Sequence, residues 1–168
     1  MREHSRDYGR LEDILKYALN VEKIINGITY EEFVNDIRIY YSVMKNVEII
    51  GEAANMLTRH FRETYNELPW RQIIGMRNIL VHGYAQISDT DLWQTATNDI
   101  QPMREQVQQY LNGIDWDHWL QIEDSYTEID NVAYKQAIET ARRMKRKGYS
   151  NNDILDITGL TECEIKML

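Results

Sequence analysis

The chain has 168 residues, of which 43% are hydrophobic and 27% charged, with a net charge of −8. That supplies enough apolar side chains for a core, and the acidity argues against a general nucleic-acid binder. A single cysteine, Cys163, excludes a disulfide framework and a cysteine-based zinc site and fits a reducing, cytoplasmic setting.

Two prolines and eight glycines leave little punctuation for a many-turned all-β fold. No apolar run approaches the ~18–20 residues of a membrane span. MREHSRDYGRLEDI has no apolar segment of the kind that opens a secreted chain, so secretion is not expected.

Leu11, Ile14, Leu15, Ala18, Leu19, Val21 and Ile25 follow a helical period that Asn26-Gly27 closes. Thr29-Tyr30-Glu31-Glu32 is a capping box, which predicts a new helix. Phe33, Ile37, Tyr40, Met44, Val47, Ile50, Ala54, Leu57 and Phe61 then recur every three or four residues. Read as one helix from Glu31 to Tyr65, that stripe would be about 50 Å long. The small residues of Gly51-Glu52-Ala53-Ala54 fall in its middle, where they would let a neighbouring helix approach closely.

Asn66-Glu67-Leu68-Pro69-Trp70 reads as a turn, with Pro69 suited to a first helical position. Arg71 to His82 reads as a third helix ending near Gly83, and a fourth runs from Ser88-Asp89-Thr90-Asp91 to Asn112-Gly113, with Pro102 expected to kink it. This is an all-α chain whose first 113 residues form a four-helix bundle.

Charge separates the C-terminal part from the bundle. Residues 1–130 carry 12 basic and 22 acidic side chains, whereas residues 131–147 carry 6 basic and 1 acidic. Residues 114–130 are acidic and aromatic with no clean period and read as a linker, docked on the bundle by Trp116 and Trp119. Residues 131–168 read as a small basic module. Ala133 to Lys147 forms a helix capped by Gly148, Ser150 caps a short one, and Thr161-Glu162-Cys163-Glu164 is a capping box for a last. Three short helices with glycine turns have helix-turn-helix grammar.

The chemistry is concentrated in Gly75-Met76-Arg77-Asn78-Ile79-Leu80-Val81-His82-Gly83-Tyr84. A histidine near its free pKa of ~6.5 serves as general base or acid at neutral pH. An arginine holds a phosphate and stabilises charge that develops on it. Asn78 suits the orientation of Arg77 or of the phosphate. Helical geometry separates Arg77 from His82 by about 140°. Either the helix ends at Gly83 and swings His82 and Tyr84 round, or two chains meet in a composite site. On residue types alone, an arginine and a histidine at a helix end more often serve a structural role.

RNILVHGY resembles the R-(four residues)-H-x-Y signature of the HEPN superfamily, specifically its HepT-like (DUF86) toxins. RLEDIL, EEFVNDIRIY, VEIIGEAANML, ELPWRQIIGMRNILVHGY and the tryptophan of DTDLW follow the order of that family, over about residues 8–112. The resemblance implies a dimeric four- to five-helix bundle acting as the endoribonuclease toxin of a type II toxin–antitoxin pair. It implies no cofactor and no metal, Arg77 and His82 as the catalytic pair, and Asn78 as the supporting polar residue. It also implies a 2′,3′-cyclic phosphate product and an MntA-like nucleotidyltransferase antitoxin that adenylylates Tyr84.

Residues 131–168 lie outside that resemblance and are similar to small tails of transposase-related nucleases. Arg142, Arg143, Lys145, Arg146 and Lys147 are candidate nucleic-acid contacts; the alternative is a basic helix folded back on the acidic body. His4, His60 and His118 are scattered, not at metal-ligand spacing. Glu48 and Glu52 share a helix face and are either solvated or partners of Arg77. Two competing functions remain at this point: a non-catalytic partner and substrate of a nucleotidyltransferase, and a nucleic-acid-binding regulator acting through the tail.

Overall fold

The computed structural model describes residues 5–82, 88–160, 165, 166 and 168; of 82 and 124–131 it describes the backbone alone. Among the described residues every regular element is helical, as the sequence predicts. They divide into two compact units, with the boundary between Ile122 and Glu123.

In the first unit, α1 (Arg6–Ile25) begins where the Ser5 hydroxyl accepts the Tyr8 N–H, at 3.3 Å. It buries Leu11, Ile14, Ala18 and Val21, and Gly27 turns the chain at φ 75°. The predicted capping box forms: Thr29 Oγ1 accepts the Glu32 N–H at 3.2 Å, and Glu32 Oε2 accepts the Thr29 N–H at 2.8 Å.

The single helix expected from Glu31 to Tyr65 is corrected to three: α2 (Tyr30–Asn35), α3 (Ile37–Asn55) and α4 (Arg59–Thr64). The first break is at Asp36, whose backbone is extended at φ −98°, ψ 102°. Its carboxylate accepts the Arg38 N–H at 2.9 Å and pairs with the Arg38 guanidinium at 2.8 Å. Those bonds hold its pKa down at about 2, and they offer the backbone a local alternative to a continuous helix. Ile37, directly after the break, is 68% exposed and drops out of the apolar stripe. The second break is at Thr58, whose Oγ1 accepts the Phe61 N–H at 3.1 Å. The stripe is legible in the spacing of apolar residues; the breaks are made by capping side chains, which apolar spacing does not register.

Phe61 lies fully buried at the centre of an aromatic cluster with Tyr65, Trp70, Tyr110, Trp116 and Trp119, ring centroids 4.9–6.3 Å away. The polar tips are satisfied. Trp70 Nε1 donates to the Tyr65 carbonyl at 2.7 Å, Trp116 Nε1 to the Leu111 carbonyl at 3.0 Å, and the Tyr110 hydroxyl to Glu67 at 2.8 Å. Burial first, then the neighbouring Glu67, raises the Tyr110 phenol pKa well above its usual range.

α5 (Trp70–His82) follows Pro69, whose carbonyl accepts the first free N–H groups of the helix, from Gln72 and Ile73. α6 (Asp89–Gln94), capped by Ser88, leads through a π turn at Thr95–Asp99 into α7 (Ile100–Gly113). Pro102 offers no N–H to the carbonyl four residues earlier and crowds it, and the chain widens by one residue in the π turn just ahead of it.

The segment expected to be an irregular linker, 114–130, is helical from Trp116, inside α8 (Trp116–Arg146). Trp116, Trp119 and Ile122 are spaced by three and pack on the core of the first unit, so the docking expected of both tryptophans is present. The helical period is there, but three residues are too short a stripe to stand out among acidic neighbours.

In the second unit, the later part of α8 is joined to α9 (Asn151–Thr158) through Gly148, at φ 82°. Ser150 caps α9 in a reciprocal box with Asp153. Ala141, Met144, Ile154, Leu160 and Ile165 form a small core of its own. The capping box read at 161–164 lies outside the described residues. No described helix is long and apolar enough to cross a membrane.

Candidate active site

The site is built where α5 lies against α3. Gly51 makes that approach possible: a Cβ added there would overlap the Cβ of Arg77 and come within 3.1 Å of the Ile73 carbonyl oxygen. The expectation that small residues in mid-helix admit a neighbour is met, and the neighbour is the helix turn that carries Arg77. Gly51→Ala is therefore expected to destabilise the protein by ~1–3 kcal/mol through overpacking, partly offset by the ~1 kcal/mol better helix propensity of alanine. Because the obstacle is a Cβ and a backbone oxygen, α3 and α5 must separate and Arg77 must move. Urea unfolding of the variant checks the first effect, and the RNA-cleavage rate checks the second.

Arg77 is held from two sides. Its Nη2 lies 2.8 Å from Glu52 Oε2, and its Nη1 donates to Asn78 Oδ1 at 3.0 Å. Of the two glutamates on α3, Glu52 reaches Arg77, while Glu48 pairs with Lys45 at 2.7 Å. The pair is close in distance, yet no guanidinium N–H is aligned on Glu52 Oε2, and the buried Nε of Arg77 also has no hydrogen-bond partner among the described residues. The arginine is thus held from two sides while its side chain stays partly open, and a guanidinium so placed suits an anion. The Arg77 side chain is 25% exposed and that of Glu52 44%, so the pair sits at the edge of solvent.

Asn78 is where a supporting residue was expected, directly on Arg77. His82 is the last residue of α5, and its side chain lies outside the described residues; Tyr84 lies outside them altogether. Since α5 is helical through His82, the positions of Arg77 and His82 on it are about 140° apart. Ile79 and Val81, on the same helix, are exposed. Arg142, Arg143, Lys145 and Arg146 lie in the last turns of α8 and Lys147 directly after it, in the second unit. His60 stacks on Trp119 at 5.1 Å, a packing role that its scattered position in the sequence did not reveal. Among the described residues no group of three His, Cys, Asp or Glu side chains could hold a metal ion.

Comparison with known proteins agrees with the region that carries this geometry. Residues 14–110 match the family described as Ribonuclease HepT-like. The chain is 38% identical over 98 residues to "Putative RNase MJ1380" of Methanocaldococcus jannaschii, covering 58% of this chain and 90% of that protein. It is 33% identical over 104 residues to "Probable ribonuclease HepT" of Thermococcus cleftensis, covering 62% and 93%. No solved structure matches.

Proposed function

From the premise that this chain belongs to the HepT-like ribonuclease family, we propose that it is a metal-independent endoribonuclease and the toxin of a type II toxin–antitoxin pair. The observation that carries this reading is Arg77 itself. It is held by Glu52 and Asn78 with its side chain partly open to solvent, and is placed five residues before a histidine at the end of the same helix.

The chemistry rests on those groups. His82 takes the proton of a ribose 2′-OH as its oxygen attacks the adjacent phosphorus. Arg77 binds the non-bridging oxygens and stabilises the negative charge that grows on them. The 5′-oxygen of the next nucleotide leaves and is protonated from solvent, His82 gives up to solvent the proton it took, and the product is a 2′,3′-cyclic phosphate. No step uses a metal ion.

The two positions diverge on a single helix, and α5 exposes Ile79 and Val81 beside them. Both features support a homodimer in which Arg77 of one chain works with His82 of the other. Control of the toxin is assigned to an MntA-like nucleotidyltransferase antitoxin. The Tyr84 phenol oxygen attacks the α-phosphorus of ATP and pyrophosphate leaves, which puts a negative charge and an adenosine next to the site and repels substrate.

The test is cleavage of RNA by the purified chain in excess EDTA, with end-group analysis of the fragments. Undiminished cleavage with cyclic phosphate ends is expected. Cleavage that EDTA abolishes, or ends of another kind, would sink the mechanism. For the regulatory half, mass spectrometry after incubation with the antitoxin and ATP should find adenylate on Tyr84; an unmodified Tyr84 refutes it.

A further inference from the structure

We infer that the end of α8 and the turn after it form a binding face for the phosphate backbone of single-stranded RNA, made by Arg142, Arg143, Lys145, Arg146 and Lys147 with Tyr149. The identity of the nucleic acid rests on the ribonuclease reading above; the face itself rests on the second unit alone.

At 100° per residue, Arg142, Arg143, Arg146 and Lys147 fall within an arc of about 140°, with Lys145 flanking it. Ala141 and Met144, which build the small core of this unit, lie on the opposite side. Arg142, Arg143, Arg146 and Lys147 are exposed, and none of the five cations forms an ion pair or side-chain hydrogen bond among the described residues.

The spacing also works against the helix. Arg142 with Arg146, and Arg143 with Lys147, are like-charge pairs four apart, an arrangement that destabilises an isolated helix. Cations favour a helix C-terminus, but that effect is confined to the last turn and does not call for so many. An external polyanion relieves the repulsion.

Tyr149 adds the second element. Gly148, at φ 82°, ends the helix in a Schellman motif: its N–H donates to the Lys145 carbonyl at 3.0 Å, and the Tyr149 N–H donates to the Met144 carbonyl at 3.2 Å. These bonds fix the backbone of Tyr149 at the end of the cationic arc, and its ring is exposed. A cationic track ending in an exposed aromatic is the arrangement that holds single strands, where an unpaired base stacks on the ring.

The experiment measures binding of the full chain to a fluorescent, 2′-O-methylated single-stranded RNA, which keeps the phosphates but lacks the attacking hydroxyl. Replacing Arg142, Arg143 and Arg146 together by glutamine is expected to weaken binding about 10²-fold at 0.1 M salt and to reduce the salt slope by about 2. Tyr149→Ala is expected to weaken it about fivefold or more with the slope unchanged. Melting temperatures should not fall, and that of the triple variant should rise slightly as the like-charge pairs are removed.

Unchanged affinity and slope in the triple variant would overturn the inference, as would a lower melting temperature with binding intact, or preference for duplex DNA over the RNA probe. Cleavage of unmodified RNA is followed in parallel. A chain that binds through this face but cuts nothing leaves the face standing and removes the ribonuclease reading. A chain that cuts RNA while the triple variant binds normally does the reverse.

Discussion

A chain carrying Arg77→Ala is expected to cleave RNA about 10²–10³-fold more slowly than wild type, the loss typical of removing one preorganised donor to a developing oxyanion, ~2.7–4 kcal/mol. Its stability should change little. Arg77 leaves behind Glu52, whose side chain is 44% exposed and hydrates readily, and an ion pair at the edge of solvent contributes little to folding. A large activity loss with a nearly unchanged melting curve therefore marks a chemical role; a parallel fall of both marks a structural one.

The same variant tests the composite arrangement. Arg77→Ala and His82→Ala chains, each inactive, are unfolded together and refolded as a mixture. In a symmetric dimer with sites shared between chains, each mixed dimer regains one intact site of two, so about a quarter of wild-type activity should return. If both residues of a site come from one chain, the mixture stays inactive.

The largest stability effect is expected at Asp7, a fully buried carboxylate near the start of α1. It accepts the Thr58 N–H at 2.7 Å, the Thr58 hydroxyl at 2.7 Å and the Trp119 indole N–H at 3.0 Å. One side chain thus ties α1 to the N-terminus of α4 and to the first turn of α8. Asp7→Ala strands those donors without water, at a cost of ~3–5 kcal/mol. For a protein of this size that is a fall in melting temperature of roughly 6–20 °C. Asp7→Asn keeps one acceptor oxygen and should recover part of the loss. Calorimetry on the three proteins checks both. A loss below ~1 kcal/mol for the alanine variant would mean that the clamp does not hold the unit together.

Asp7 also marks the limit of what local sequence carries. Nothing in HSRDYGR singles out an aspartate for full burial, because its partners are 51 and 112 residues away. Glu52 is visible as a candidate, since it shares a face with Glu48, but the spacing does not choose between them. Packing chooses: Glu52 is beside the glycine against which α5 closes, whereas Lys45 takes Glu48. Residues 114–130 read as a linker because the helical period there rests on two tryptophans and an isoleucine.

Local rules are enough for much else. Helical periodicity and caps locate α5, α9 and the C-terminal end of α1 to within a residue or two, and the apolar stripe from Phe33 to Phe61 identifies the core side of the bundle. The order of motifs through RNILVHGY points to the family, because that information is carried by residue identity and spacing, which are properties of the sequence itself. The tertiary structure alone decides that the stripe breaks at Asp36 and Thr58, that Gly51 seats Arg77, and that Asp7 closes the bundle. Each of these depends on a side chain meeting a partner distant in sequence, or on a cap competing with an otherwise continuous helix. Such contests are settled by packing and hydrogen-bond satisfaction in three dimensions, which no spacing along the chain encodes.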